Sequence, residues 1–210
     1  RFCKSLGFSG LKDMKKNLVS QLRAAPAGET APHSSRDFLD TRIYASTGDI
    51  VRGIEASAVD AVRSTARIQD PAVLEAVAAR MAAAQSVRLF GVGASGLVAQ
   101  DLYHKLLRVN TNVIFCTDTH MQLTYITSVQ PGDVALFFSN SGNTTEILEL
   151  ARAARERRAC IVAVTKLGAS PLSELADYVL PTSSPELEFR SGAMSSRIAA
   201  LLVVDMLFTT

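Results

Sequence analysis

Two stretches decide the fold: VRLFGVGASG at residues 87–96 and VALFFSNSGNTTE at residues 134–146. Each begins with a short apolar run, 87–90 and 134–138, that reads as a buried parallel strand. Each then turns through glycine and hydroxyl residues and opens into a helical pattern. Such a turn gathers backbone N–H groups, hydroxyls and the positive end of a helix dipole at one point. That point suits an anion, phosphate above all. In the second turn Ser139, Ser141 and Thr144 supply hydroxyls, and Gly142 lets the backbone close around the anion. Thr144 or Thr145 also caps the following helix. Two such turns on one sheet suggest a small phosphorylated ligand held from two sides.

Around these turns the chain alternates strand and helix. Strands are expected at 87–90, 112–116, 134–138, 160–165 and 178–180. Helices are expected at 96–108, 119–129, 144–157, 171–176 and 195–208. Short continuous apolar strands alternating with helices indicate a parallel sheet covered on both faces. Ligands of such sheets sit beyond the carboxyl ends of the strands, where both turns fall. Upstream, Asp70-Pro71 marks a helix start, with Asp as N-cap and Pro in the first turn. A long polar helix is expected over 37–65, irregular near Gly48 and Gly53. Residues 25–35, APAGETAPHSS, read as a linker. Residues 1–24 read as two helical pieces, 1–6 and 11–22, separated by a turn at Gly7–Gly10.

Composition narrows the classes. The chain has 210 residues, 48% hydrophobic and 20% charged, an ordinary globular balance for one α/β core and a smaller element. Trp is absent and aromatics are sparse, which disfavours base-stacking platforms. No apolar run approaches the roughly 20 residues of a membrane span. Cys3, Cys116 and Cys160 are widely spaced and read as buried free thiols of a reducing cytoplasm. His33, His104 and His120 are too far apart for a metal signature. The net charge of +2 hides an asymmetry: residues 1–23 carry +5 and the remainder −3. A basic amino-terminal piece on a mildly acidic globule points to a polyanion partner. The first residue is Arg and the last helical run ends without a cap, so the chain is expected to be a fragment of a longer protein.

Two chemistries compete for the first turn. G-V-G-A-S-G follows dinucleotide-turn spacing, and Asp118 stands near the end of the second strand, so position leaves a nicotinamide cofactor open. The second Gly/Ser turn is harder to fit to a dinucleotide, and no cofactor is expected.

Several segments together resemble a known family. Residues 86–208 are similar to a sugar isomerase (SIS) domain, whose phosphosugar loop has the form S-x-S-G-x-T, as at Ser139–Thr144. The chain more narrowly resembles RpiR-type transcriptional regulators of sugar metabolism. The resemblance is carried by RFCKSLGFSGLKDMKKNL at 1–18, GVGASGLVAQDLYHKLLRVN at 91–110, DTHMQLTYIT at 118–127, SNSGNTTEILELARAARERRACIVAVT at 139–165, and SPLSELADYVL with FRSGAMSSRIAALLVVDMLF behind it. It implies a three-layer α/β/α domain with a five-stranded parallel sheet, preceded by the end of a helix-turn-helix domain. The boundaries implied are 1–24 for the helix-turn-helix remnant, 25–35 for the linker, 36–70 for a linker helix and 71–210 for the SIS domain. It also implies phosphate on Ser139, Asn140, Ser141, Gly142 and Thr144, with Ser95 facing the sugar. Gly93, His120, Glu186 and Glu188 are weaker ligand candidates. The segment carrying Arg1 and Lys4 resembles the end of a DNA-recognition helix, which implies DNA contact by these two residues. The partners implied are a phosphorylated sugar, duplex DNA and a second copy of the chain, with no metal and no membrane.

Sugar-phosphate isomerases with this domain usually carry a Glu-Ala-x-His-Gly-Asp type segment after the second strand. Residues 118–124, DTHMQLT, lack its Glu and Gly. A cytoplasmic, non-catalytic sensor is therefore expected, with aldose–ketose isomerisation on Glu186 or Glu188 as the alternative. The last helix, 195–208, is apolar nearly all round. The sheet covers one stripe of it, so a partner subunit or residues beyond Thr210 are expected to cover the rest.

Overall fold

The structure, a computed structural model, describes residues 46–184 and 193–210. In chain order the elements are α1 (Thr47–Arg67), α2 (Pro71–Ala83), β1 (Val87–Gly91), α3 (Ala94–Arg108), β2 (Val113–Phe115) and α4 (Thr119–Tyr125). A 3₁₀ turn (Ile126–Ser128) follows. Then come β3 (Val134–Phe138), α5 (Thr145–Glu156), β4 (Cys160–Lys166), α6 (Pro171–Leu175), β5 (Tyr178–Thr182) and α7 (Met194–Thr209). The sheet is parallel throughout, in the order β2-β1-β3-β4-β5.

Alternation along the strands builds two cores. Leu89, Leu136, Val162 and Val164 face one side, with Val98, Leu102, Val203 and Leu207 from α3 and α7. Phe90, Phe137, Ile161 and Ala163 face the other, with Ile147, Leu150 and Leu172 from α5 and α6. Phe90 and Phe137 stack with ring centroids 4.9 Å apart. The result is three layers, as expected.

The strand order fixes where a ligand sits. From β1 the chain crosses to β2 on one side and then returns to β3 on the other. β1 and β3 are neighbours, in register from Val87↔Val134 to Gly91↔Phe138. Their carboxyl ends form the topological switch point, so the two anion turns emerge side by side.

Several boundaries differ from expectation. α1 runs unbroken from Ser46, its N-cap, through Gly53 to Arg67, with no irregularity at Gly53. Gly53 is instead one of a buried stripe of small residues, Gly53, Ser57, Ala61 and Thr65. Such a stripe lets α1 pack closely along α7. The cover expected from a partner or from later residues is thus supplied in part within the chain. Leu201, Leu202, Met206 and Phe208 remain half-buried. The helix expected over 119–129 stops at Tyr125 and tightens into the 3₁₀ turn. α3 starts two residues early because Gly93 turns the chain before Ala94, and β5 continues to Thr182. Cys116 and Cys160 are free but only half-buried, and burial pushes the Cys160 thiol pKa up. Asp205 is ion-paired to Lys105 at 2.9 Å, which joins α7 to α3.

Candidate functional site

The first turn is shaped by close backbone approach. A Cβ on Gly91 would lie 2.8 Å from the Ser95 carbonyl oxygen, and one on Gly96 would lie 3.1 Å from the Gly91 carbonyl oxygen. Both glycines let α3 start directly against the end of β1. Gly93, the N-cap, has φ 57° and ψ −129°, a conformation glycine adopts at little cost. No side chain caps α3.

The second turn is held from behind. Gly142 has φ 61°, and a Cβ there would lie 2.2 Å from Ser170 Oγ and 2.9 Å from Thr165 Oγ1. The Gly142 carbonyl accepts from Leu172 N at 3.0 Å, and the Asn140 carbonyl accepts from Lys166 N at 3.1 Å. The turn therefore rests on the segment linking β4 to α6. In front, Ser139 Oγ and Thr144 Oγ1 share a hydrogen bond of 3.0 Å, and Ser141 Oγ accepts from Asn143 N at 3.2 Å. Thr144 is the N-cap of α5 but makes no side-chain cap bond, contrary to expectation. Its hydroxyl is taken by Ser139, so the amino end of α5 keeps its dipole uncapped by a hydroxyl. Asn140 Oδ1 is buried with no hydrogen-bond partner among the described residues. A buried acceptor without a donor is costly.

Between the turns lies a pocket of about 260 Å³. Gly93, Ser95, Ser139, Asn140, Ser141 and Thr144 line it, together with Val92, Ala94, Val98, Phe138 and Val164. Its far wall is Thr182 from the end of β5, and Ala193, Ser196, Arg197 and Ala200 from α7 and its N-cap. Ala193 sits in the left-handed region with φ 55°, a strained position for a residue with a Cβ and one that clusters at ligand sites. Arg197 lines the same pocket as the two turns and is the one cationic residue among the described residues of that lining.

The structure thus brings together six of the expected ligand residues. Gly142 does not line the pocket; it supports the turn from behind. His120 is exposed on α4 and does not line it. Its neighbour Gln122 is buried and donates to the carbonyls of Gly91 at 3.0 Å and Cys116 at 2.9 Å. Glu186, Glu188, Arg1 and Lys4 lie outside the described residues. Sequence reasoning missed Thr182, Ser196 and Arg197. The polar run SSR at 195–197 marks the start of an otherwise apolar helix as unusual, but nothing local to it says which turns it will face. Among the described residues there is no group of acidic, Cys and His side chains able to hold a metal ion, and no helix is long and apolar enough to cross a membrane.

The two glycine- and hydroxyl-rich turns, side by side at the switch point of a five-stranded parallel sheet, define a doubly wound α/β domain with a pocket at the carboxyl ends of its strands. A SIS domain model matches residues 80–210. The chain is 37% identical over 212 residues to an HTH-type transcriptional regulator of Caldanaerobacter subterraneus subsp. tengcongensis, covering 99% of this chain and 71% of the relative. It is 33% identical over 209 residues to the HTH-type transcriptional regulator YbbH of Bacillus subtilis, with the same coverage. Among solved structures it resembles the Vibrio vulnificus NanR protein complexed with ManNAc-6P, at TM-score 0.73 and 30% identity over 99% of this chain and 70% of that one. The chain belongs to the SIS-domain family, among the RpiR-type helix-turn-helix transcriptional regulators.

Proposed function

We propose that this chain is a DNA-binding transcriptional regulator of sugar metabolism whose SIS domain senses a phosphorylated sugar. One observation carries the reading: the Ser139–Thr144 turn presents its hydroxyls and an uncapped helix end to a pocket that also holds Arg197. The phosphate sits at residues 139–144 with Thr144 and Ser141 as hydroxyl donors. Asn140 and Ser95 face the sugar hydroxyls, and Arg197 meets acceptor atoms from the far wall. ManNAc-6P in NanR is a ligand of this chemical class.

The reading is of a sensor, not an enzyme. The described lining offers hydroxyls, an amide and a guanidinium, whereas aldose–ketose isomerisation requires a base near neutrality. Sensing requires only a difference in affinity between two protein states. DNA contact belongs to the basic segment that includes Arg1 and Lys4, in a cytoplasmic protein acting as a homodimer. Exposed apolar residues supply a surface for the second copy: Ile50, Val51 and Ile54 on α1, and Leu97, Met121 and Leu123 on α3 and α4.

A thermal-shift panel pairing each sugar phosphate with its unphosphorylated form tests the ligand class. Stabilisation by at least one phosphate, with none from its parent sugar, is expected. Proton-exchange NMR in deuterated water on the same ligand should show no protein-dependent deuterium at a sugar carbon. Incorporation would make the chain an isomerase.

A further inference from the structure

The pocket's far wall is tied to α1 by two buried hydroxyl contacts. Thr65, fully buried on α1, donates from Oγ1 to the Ser183 carbonyl at 2.9 Å and accepts from Ser183 N at 3.0 Å. Two turns earlier on the same stripe, Ser57 Oγ shares a hydrogen bond of 2.6 Å with Ser195 Oγ, both residues buried. Ser183 directly follows the pocket residue Thr182. Ser195 directly precedes Ser196 and Arg197. A third bond reinforces the carboxyl end of α1: Gln69 Nε2 donates to the Pro181 carbonyl at 2.6 Å and to the Thr65 carbonyl at 3.0 Å.

The rest of the α1 stripe, Gly53 and Ala61, has no polar atom to fix a register. The two hydroxyls supply it. A buried hydroxyl that loses its partner pays its full desolvation cost, so α1 has one seat, against α7 and the residue after β5, in which both contacts are made. Any movement of Thr182 or Arg197 toward a ligand displaces Ser183 or Ser195. α1 then follows, or the contacts break. α1 is also the element that joins residues 1–45 to the pocket domain.

We infer that Thr65 and Ser57 are positioning residues through which pocket occupancy sets the seat of α1, making α1 the output element of the sensor. The inference rests on the phosphosugar reading above, which names the ligand, and adds how the signal leaves the pocket.

Hydrogen–deuterium exchange by mass spectrometry on the whole chain tests it. The probe is the member of a panel of ManNAc-6P, glucose 6-phosphate, fructose 6-phosphate and ribose 5-phosphate that gives the largest thermal shift. In the parent, the probe should slow exchange in residues 139–144 and also in 47–67, each by about fivefold or more. Thr65→Val and Ser57→Ala should keep the protection at 139–144 and lose it at 47–67. Thr65→Ser, which restores a hydroxyl, should recover it. If Thr65→Val does not fold, Ser57→Ala carries the comparison alone. Protection at 139–144 with no change in α1 of the parent overturns the inference and leaves the phosphosugar reading intact. So does α1 protection unchanged in a variant. No binding by any panel member, with no protection anywhere, overturns both.

Discussion

Gly142 shows how much of the site rests on single atoms. Its φ of 61° and the 2.2 Å gap to Ser170 Oγ leave no room for a methyl group. Gly142→Ala must shift the turn or Ser170, and should cost about 2–4 kcal/mol by chemical denaturation as well as weaken ligand binding. A loss below about 1 kcal/mol would mean that the turn is not braced from behind. Arg197 is the complementary case, a residue whose loss should spare the fold. It is exposed, and no hydrogen bond or ion pair holds its side chain among the described residues. Arg197→Ala should leave the melting temperature unchanged and weaken sugar-phosphate binding roughly 10- to 100-fold, the worth of a charge-assisted hydrogen bond. Calorimetric titration separates the two effects.

At the scale of elements, β1 holds more than the anion turn. Arg88 on β1 is buried and lies 3.4 Å from the buried Asp133 carboxylate, which precedes β3. Its guanidinium also donates to Ser128 Oγ at 2.7 Å and to the Ser128 carbonyl at 3.1 Å, tying the 3₁₀ turn to the sheet. Arg88→Met would leave the buried Asp133 carboxylate without a cation, held among the described residues only by the Gln130 N–H at 3.0 Å. The expected cost is about 3–5 kcal/mol in urea unfolding, where an exposed pair would cost under about 1.

The element scale also explains what the sequence could and could not reveal. The runs 87–90 and 134–138 were legible because a strand buried on both faces is apolar at every position, and the glycines and hydroxyls after them have a local backbone reason to be there. Arg197 was not legible from its neighbours, because its role exists only once α7 has folded back across the sheet toward turns more than fifty residues upstream. Ser57 and Thr65 looked like polar residues of a solvated helix. Their burial depends on α7, whose own sequence gives no sign that small residues are needed opposite. The break after Tyr125 was missed for a similar reason: Arg88, far upstream, holds the 3₁₀ turn.

For the whole molecule, the account joins a pocket, an output helix and a second copy. The exposed apolar residues of α1 predict self-association. Sedimentation velocity at micromolar concentration should give a homodimer, and Ile54→Glu should shift it toward monomer by placing a charge in the contact. A monomeric parent would remove α1 from any interface. Everything else depends on whether the Ser139–Thr144 turn holds phosphate, and one titration addresses that directly. The sugar phosphate that most stabilises the parent should be titrated calorimetrically into the parent and into Ser141→Asp, which places a carboxylate where the phosphate belongs. The account predicts saturable binding to the parent and none to the variant at the same concentrations, with the variant still folded. Equal affinity for both would show that the turn is only a helix start.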